Sequence, residues 1–286
     1  MGRDGGGANC SGGGVYPIVP QVAPNVKSLF DSTLTADGAP AILLATLTRP
    51  ARPTARCTCV ASRALRGMRW DPAFWRPGRV ELAAECVLPL APLGDFIERI
   101  TYGPILPGRP PEPVAEGVTI VGQRELRPTG LVLARAVIVA EGCPHDPPRC
   151  RLRAGDVVLA RSGVGTLARK RFTVFRQPLK ATVSCFVDLI RLRGMSPYYV
   201  VTFLRSGLGW SQVERLLRGV GTPNVSFPQI RSLRVPLLPS AEQEALGARW
   251  REVARLHDSG RLAEAEARLD ELASGLDSRL RKPNGA

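Results

Sequence analysis

From residue 118 to residue 190 the apolar positions fall in short runs bounded by Gly, Pro or charge. The runs are 118–121, 131–139, 157–160, 172–175 and 182–190. Their β-branched and aromatic content predicts strands. Beyond them, 197–217 predicts a helix that Gly207 and Gly209 could split, and 224–232 a helical turn ahead of a short strand at 233–237. The pattern changes again at Ser240. Ser240 with Gln243 three places on has the form of a capping box. Leu246, Trp250 and Val253 then recur at intervals of four and three. After Asp258-Ser259-Gly260, Leu262, Ala265, Leu269, Leu272 and Leu276 resume at heptad spacing. Such a face either packs on its own domain or pairs with another helix, and the spacing leaves both open. The fold class expected is α+β: a mainly β domain over 90–239 with a C-terminal helical arm over 240–286.

The first 89 residues are less informative. Residues 1–25 are rich in Gly and then Pro, and predict a disordered leader. Residues 26–89 form a segment of uncertain fold, with apolar runs at 41–44 and 57–60. It ends in a packed connector, Arg69-Trp70-Asp71-Pro72-Ala73-Phe74-Trp75-Arg76-Pro77, whose two prolines forbid a continuous helix.

Charge sharpens the picture. The stretch from Arg149 to Arg234 holds sixteen Lys/Arg against three acids (Asp156, Asp188 and Glu214), a surplus of thirteen in a chain whose net charge is +14. A folded surface so dense in cations repels itself unless a polyanion neutralises it, and nucleic acid is the commonest such partner. A coding bias toward Arg would explain few lysines but not the missing acids. Seven irregularly spaced cysteines predict reduced thiols and a cytoplasmic protein. No apolar stretch reaches the roughly 20 residues of a membrane span, so no membrane partner is expected.

Catalytic chemistry finds little support. The Gly-x-Gly of Arg161-Ser162-Gly163-Val164-Gly165-Thr166 reads as a strand turn, with no Walker lysine at the right place. Cys143, His145 and Cys150 offer three zinc ligands where a structural site wants four, and Cys57-x-Cys59 is too tightly spaced. No metal and no cofactor are expected. Cysteine hydrolysis through Cys143 or Cys150 with His145 is a weaker alternative, and a helical adaptor without sequence reading is another.

The order of motifs from Arg69 to Gln243 resembles a target recognition domain of type I restriction-modification specificity subunits. The tract 69–77 is similar to that family's opening, Pro92-Leu93-Gly94-Asp95-Phe96-Ile97 to its LGD entry, and Thr101-Tyr102-Gly103-Pro104 to the loop after it. Leu152-Arg153-Ala154-Gly155-Asp156-Val157-Val158-Leu159-Ala160-Arg161-Ser162-Gly163 resembles its GD-strand motif, with Val164-Gly165-Thr166-Leu167 at the Gly-Thr turn. Pro197-Tyr198-Tyr199-Val200-Val201, Gly219-Val220-Gly221-Thr222-Pro223-Asn224 and Val235-Pro236-Leu237-Leu238-Pro239-Ser240-Ala241-Glu242-Gln243 follow in the family's order. The resemblance implies a non-catalytic chain that binds double-stranded DNA and directs a DNA methyltransferase subunit, with a nuclease-translocase subunit, in phage defence. Such subunits usually carry two of these domains and long helices. This chain has one, so by analogy it acts as half a subunit whose homodimer restores a two-part site, as a stand-alone module, or as a remnant.

Residue types then nominate contacts. Phosphate clamps want Arg, Lys and hydroxyls, and base reading wants bidentate Arg, Asn or Gln on rigid elements. The candidates for DNA are Tyr102, Arg161, Ser162, Arg169, Lys170, Arg171, Lys180, Thr182, Asn224 and Gln229. Those for a partner or dimer helix, with a coiled-coil character, are Leu246, Trp250, Val253, Leu262, Leu269, Leu272 and Leu276.

Overall fold

The structure, a computed structural model, describes residues 41–46, 56–61, 82–161, 169–216 and 224–282. The leader at 1–25, the connector at 69–77, the Gly-Thr turn and Gly219–Pro223 lie outside these residues. The chain divides into two units, Met1–Arg76 and Pro77–Ala286, so the terminal helices fall in the same unit as residues 90–239. In the first unit, β1 (Ala41–Thr46) pairs antiparallel with β2 (Arg56–Ala61), Ala41 opposite Ala61.

The second unit is α+β. After a helical turn at Leu82–Glu85 come β3 (Leu90–Pro92), β4 (Ile97–Tyr102), β5 (Val118–Val121), β6 (Leu126–Arg127), β7 (Gly130–Leu131), β8 (Ile138–Val139), β9 (Val157–Ala160), β10 (Phe172–Val174), β11 (Ala181–Val183) and β12 (Val187–Leu192). The helices are α1 (Pro197–Arg205), α2 (Gly207–Leu216), α3 (Phe227–Ser232), α4 (Ser240–Asp258) and α5 (Leu262–Leu280), with β13 (Arg234–Pro236) before α4. A four-stranded antiparallel sheet has the order β10-β9-β12-β4, and a three-stranded sheet has β11-β5-β8 with β11 parallel to β5.

Two expected strands are broken, and the breaks have a cause. The run 182–190 turns at 184–186, where Ser184 N–H bonds Val121 O and Val187 N–H bonds Ser184 O, at 2.9 and 3.1 Å. That turn carries the chain out of the three-stranded sheet and into the four-stranded one. The run 131–139 is strand only at its ends. Val132 N–H closes on Glu125 O, and a turn from Leu133 to Ala136 follows.

The larger sheet carries a core on each face. Val187 and Leu189 pack with Val158, Ala160 and Val183, whereas Ile190 packs with Val157, Phe172 and the helices. Period-two alternation places Asp188 on the helix side, fully buried. Distant motifs meet here as framework. Leu93 N–H bonds Leu233 O at 2.6 Å, and β3 pairs with β13. Asp156 of the Gly-Asp turn holds Arg191 by two bonds of 2.8 and 2.7 Å.

The long predicted helix is two, broken at Ser206. Gly209 lets them meet, because a Cβ there would stand 1.9 Å from the Phe203 carbonyl oxygen. The helical arm folds back as an antiparallel hairpin, with Arg268 bonded to Glu252 (3.0 Å) and Arg279 to Glu242 (3.3 Å). It is fastened to the domain: Trp250 Nε1 donates to Thr202 Oγ1 (2.8 Å), Arg205 bonds Asp270 and Glu266, and Arg176 bonds Asp258. Leu246, Trp250, Val253, Leu269, Leu272 and Leu276 are buried in this core, and Leu262 is half-buried. Of the two readings the spacing leaves open, packing on the chain's own domain is the one seen for these residues: α1 and the hairpin's own two helices fill the leucine face. The capping box at Ser240 does not form. Gln243 instead accepts from Ser196 N–H and donates to Leu238 O. The box forms at α3, where Ser226 N–H bonds Gln229 Oε1 at 2.9 Å.

Candidate nucleic-acid interface

Three chain segments far apart in sequence converge at one end of the four-stranded sheet. Tyr102 ends β4, Arg161 follows β9, and Phe227 opens α3. The Arg161 guanidinium lies 3.8 Å from the Tyr102 ring centroid and 5.9 Å from that of Phe227, and the two rings are 5.8 Å apart. Stacking of this kind is worth about 0.5–2 kcal/mol and fixes the plane of the side chain. A guanidinium gripped by its face directs its N–H donors sideways, the geometry that bidentate acceptors such as phosphate or guanine require. Gly103 makes the junction. A Cβ there would lie 2.0 Å from Val183 O, so only glycine lets the β4 end meet the turn after β11.

Beneath this cluster sits Asp188, in register with Tyr102 on one side and Leu159 on the other. Neither carboxylate oxygen has a hydrogen-bond partner. Burial pushes its carboxyl up to about 7, with the Arg161 charge pulling the other way. A buried acid without a hydrogen bond costs the fold stability once it is charged.

The other nominated residues separate. Arg169 is exposed, and Arg171 is half-buried. Lys170 has a left-handed backbone (φ 54°). Its Nζ donates to Arg205 O at 3.0 Å and lies 5.1 Å from the Trp210 ring centroid, and burial lowers its pKa. It serves the framework, so the three-cation set does not act as one phosphate clamp. Thr182 is buried, with Oγ1 donating to Cys150 O at 3.3 Å, which removes it as a DNA contact. Lys180 is exposed but bonded to Glu141 at 2.6 Å, at the far end of β11 from the 184–186 turn. Asn224 is exposed, and Gln229 is occupied by its cap and by Leu216 O. Ser162 lies outside the described residues.

Sequence reasoning missed Phe227, Asp188 and Phe186. The convergence of three segments has no local signal, and the turn at 184–186 was hidden inside an apparent strand. The surplus charge is also smaller in space than along the chain. At least five of the sixteen cations are paired: Arg151 with Asp146 and Glu141, Arg176 with Asp258, Lys180 with Glu141, Arg205 with Glu266 and Asp270, and Arg191 with Asp156. All but the last draw acids from outside the basic stretch.

Among the described residues no group of three or more His, Cys, Asp or Glu side chains could hold a metal. Cys150 is buried with its thiol on Tyr102 O, and His145 bonds Arg109 O, so Cys143, His145 and Cys150 do not gather as ligands. Among the same residues no helix is long and apolar enough to cross a membrane.

No family model matches the sequence, and no curated protein does. Solved structures give partial likenesses. A chain from a type I restriction-modification complex is 16% identical, with a TM-score of 0.42 and coverage of 66% of this chain and 46% of that one. The HsdS subunit from Thermoanaerobacter tengcongensis is 16% identical, with a TM-score of 0.40 and coverage of 67% and 44%. The type I restriction-modification S subunit from M. genitalium is 9% identical, with a TM-score of 0.39 and coverage of 63% and 41%. Each match spans less than half the length of the solved chain.

Proposed function

We propose that this chain is a non-catalytic DNA-recognition component. It binds duplex DNA at the Arg161–Tyr102–Phe227 end of the sheet and directs a methyltransferase subunit, with a nuclease-translocase subunit, to the bound site. The observation that carries this reading is the convergence itself. The segments of Tyr102 and Arg161, which resemble separate motifs of type I specificity subunits, meet Phe227 to stack one guanidinium at a sheet end. Arg169 adds exposed charge in the turn ahead of β10. A symmetric dimer of such chains would read two half-sites at a fixed spacing. Its contact surface would have to lie elsewhere than the buried leucine face of the hairpin.

The test is retention of a pool of duplex DNA with a randomised core at two salt concentrations, followed by sequencing. Salt-sensitive retention with an enriched motif is expected. A chain that retains no DNA at either salt overturns the reading.

A further inference from the structure

We propose that Phe186 is a wedge that stacks into a base step of the bound duplex; the inference rests on the DNA-binding reading above. Phe186 is 59% exposed, although most large apolar side chains of the domain are inside. It stands on the turn that switches sheets, and that turn is held from several directions. Ser184 N–H bonds Val121 O (2.9 Å), and Gly103 N–H bonds Ser184 O (3.1 Å). The Phe186 carbonyl itself accepts from Arg161 N–H at 3.0 Å and from Gln123 Nε2 at 3.1 Å. An exposed aromatic ring on a pinned backbone gains nothing from the fold that displays it.

Its neighbours indicate what covers it. Arg161, whose guanidinium stacks on Tyr102, stands next to it, and Arg is a residue type that reads base edges. Apolar wedges in DNA-binding proteins sit beside such polar readers and unstack a base step at a cost of a few kcal/mol, which requires a rigid mount. The Gly103 approach, where any Cβ would clash with Val183 O and the Ser184 backbone, supplies that rigidity.

The probe is duplex DNA recovered from the randomised pool by the parent chain. It is rebound to the parent, to Phe186→Ala and to Phe186→Leu, then treated with permanganate, which oxidises unstacked thymines. The parent and the Leu variant are expected to give a reactive thymine at one step. In the Ala variant that reactivity falls at least fivefold and affinity about tenfold, with the salt dependence unchanged because no charge is removed. Equal thermal melting of the three proteins confirms that the exposed side chain is not structural. Unchanged affinity and reactivity in Phe186→Ala, while the parent binds DNA, overturns the wedge alone. A parent that retains no DNA overturns the wedge together with the reading beneath it.

Discussion

The sheet end around Arg161 and the α4–α5 hairpin are both rich in arginine, yet they treat charge in opposite ways. Along the hairpin, arginines meet carboxylates: Arg205 with Asp270 and Glu266, Arg268 with Glu252 and Glu271, Arg281 with Asp277 and Glu85. At the sheet end a guanidinium rests on aromatic rings, while the buried acid below it makes no hydrogen bond. Positive charge counted along a sequence is therefore not the charge a surface displays. Acids contributed by the hairpin cancel part of the basic stretch on one side, and none of those pairs includes Arg161. Exposed salt bridges contribute little energy each, so what the hairpin pairs chiefly supply is orientation and neutrality.

The largest expected effect tests whether the hairpin belongs to the domain. Trp250→Ala removes a fully buried ring and its bond to Thr202, and should cost about 3–5 kcal/mol in urea unfolding. An unchanged midpoint would mean that the hairpin is not part of the cooperative unit.

Asp188→Asn probes the other region. The carboxyl titrates near 7 when folded, above its ordinary 3.8. Its contribution is therefore fully present below about pH 4 and is lost as pH rises toward 7. The variant should gain on the parent through that window and level off above it, by on the order of 4 kcal/mol. His257, whose pKa is lowered by burial, titrates alike in both proteins and drops out of the difference. A flat difference curve between pH 4 and 8 would contradict the environment described for Asp188.

Arg161→Ala should weaken DNA binding by about 1–3 kcal/mol, relax the selected motif and reduce the salt slope by about one if the contact is to phosphate. Arg176→Ala, in the paired region, is the smallest effect expected. Its guanidinium is engaged by Asp258, and DNA affinity should stay within about twofold. Equal losses in the two variants would erase the distinction between the regions.

Much of the framework is legible in the sequence. The strands at 118–121 and 157–160, the helix start at Pro197 and the change of character at Ser240 follow from local pattern, which depends on nearby residues alone. The candidate site is less legible. Arg161 and Tyr102 are recognisable by residue type, but Phe227 joins them only through tertiary packing. Thr182 and Lys170 look like surface residues in the sequence, because a hydroxyl bonded to a distant carbonyl, or an ammonium over an indole, leaves no trace in local composition. The heptad leucines show the converse: spacing reveals an apolar face but not whether the same chain covers it.

The most direct test of the account is photocrosslinking of bound duplex DNA to the full chain, with the adducts mapped by mass spectrometry. The account predicts adducts on peptides containing Tyr102, Phe186 and Phe227. Adducts confined to the α4–α5 hairpin would contradict it.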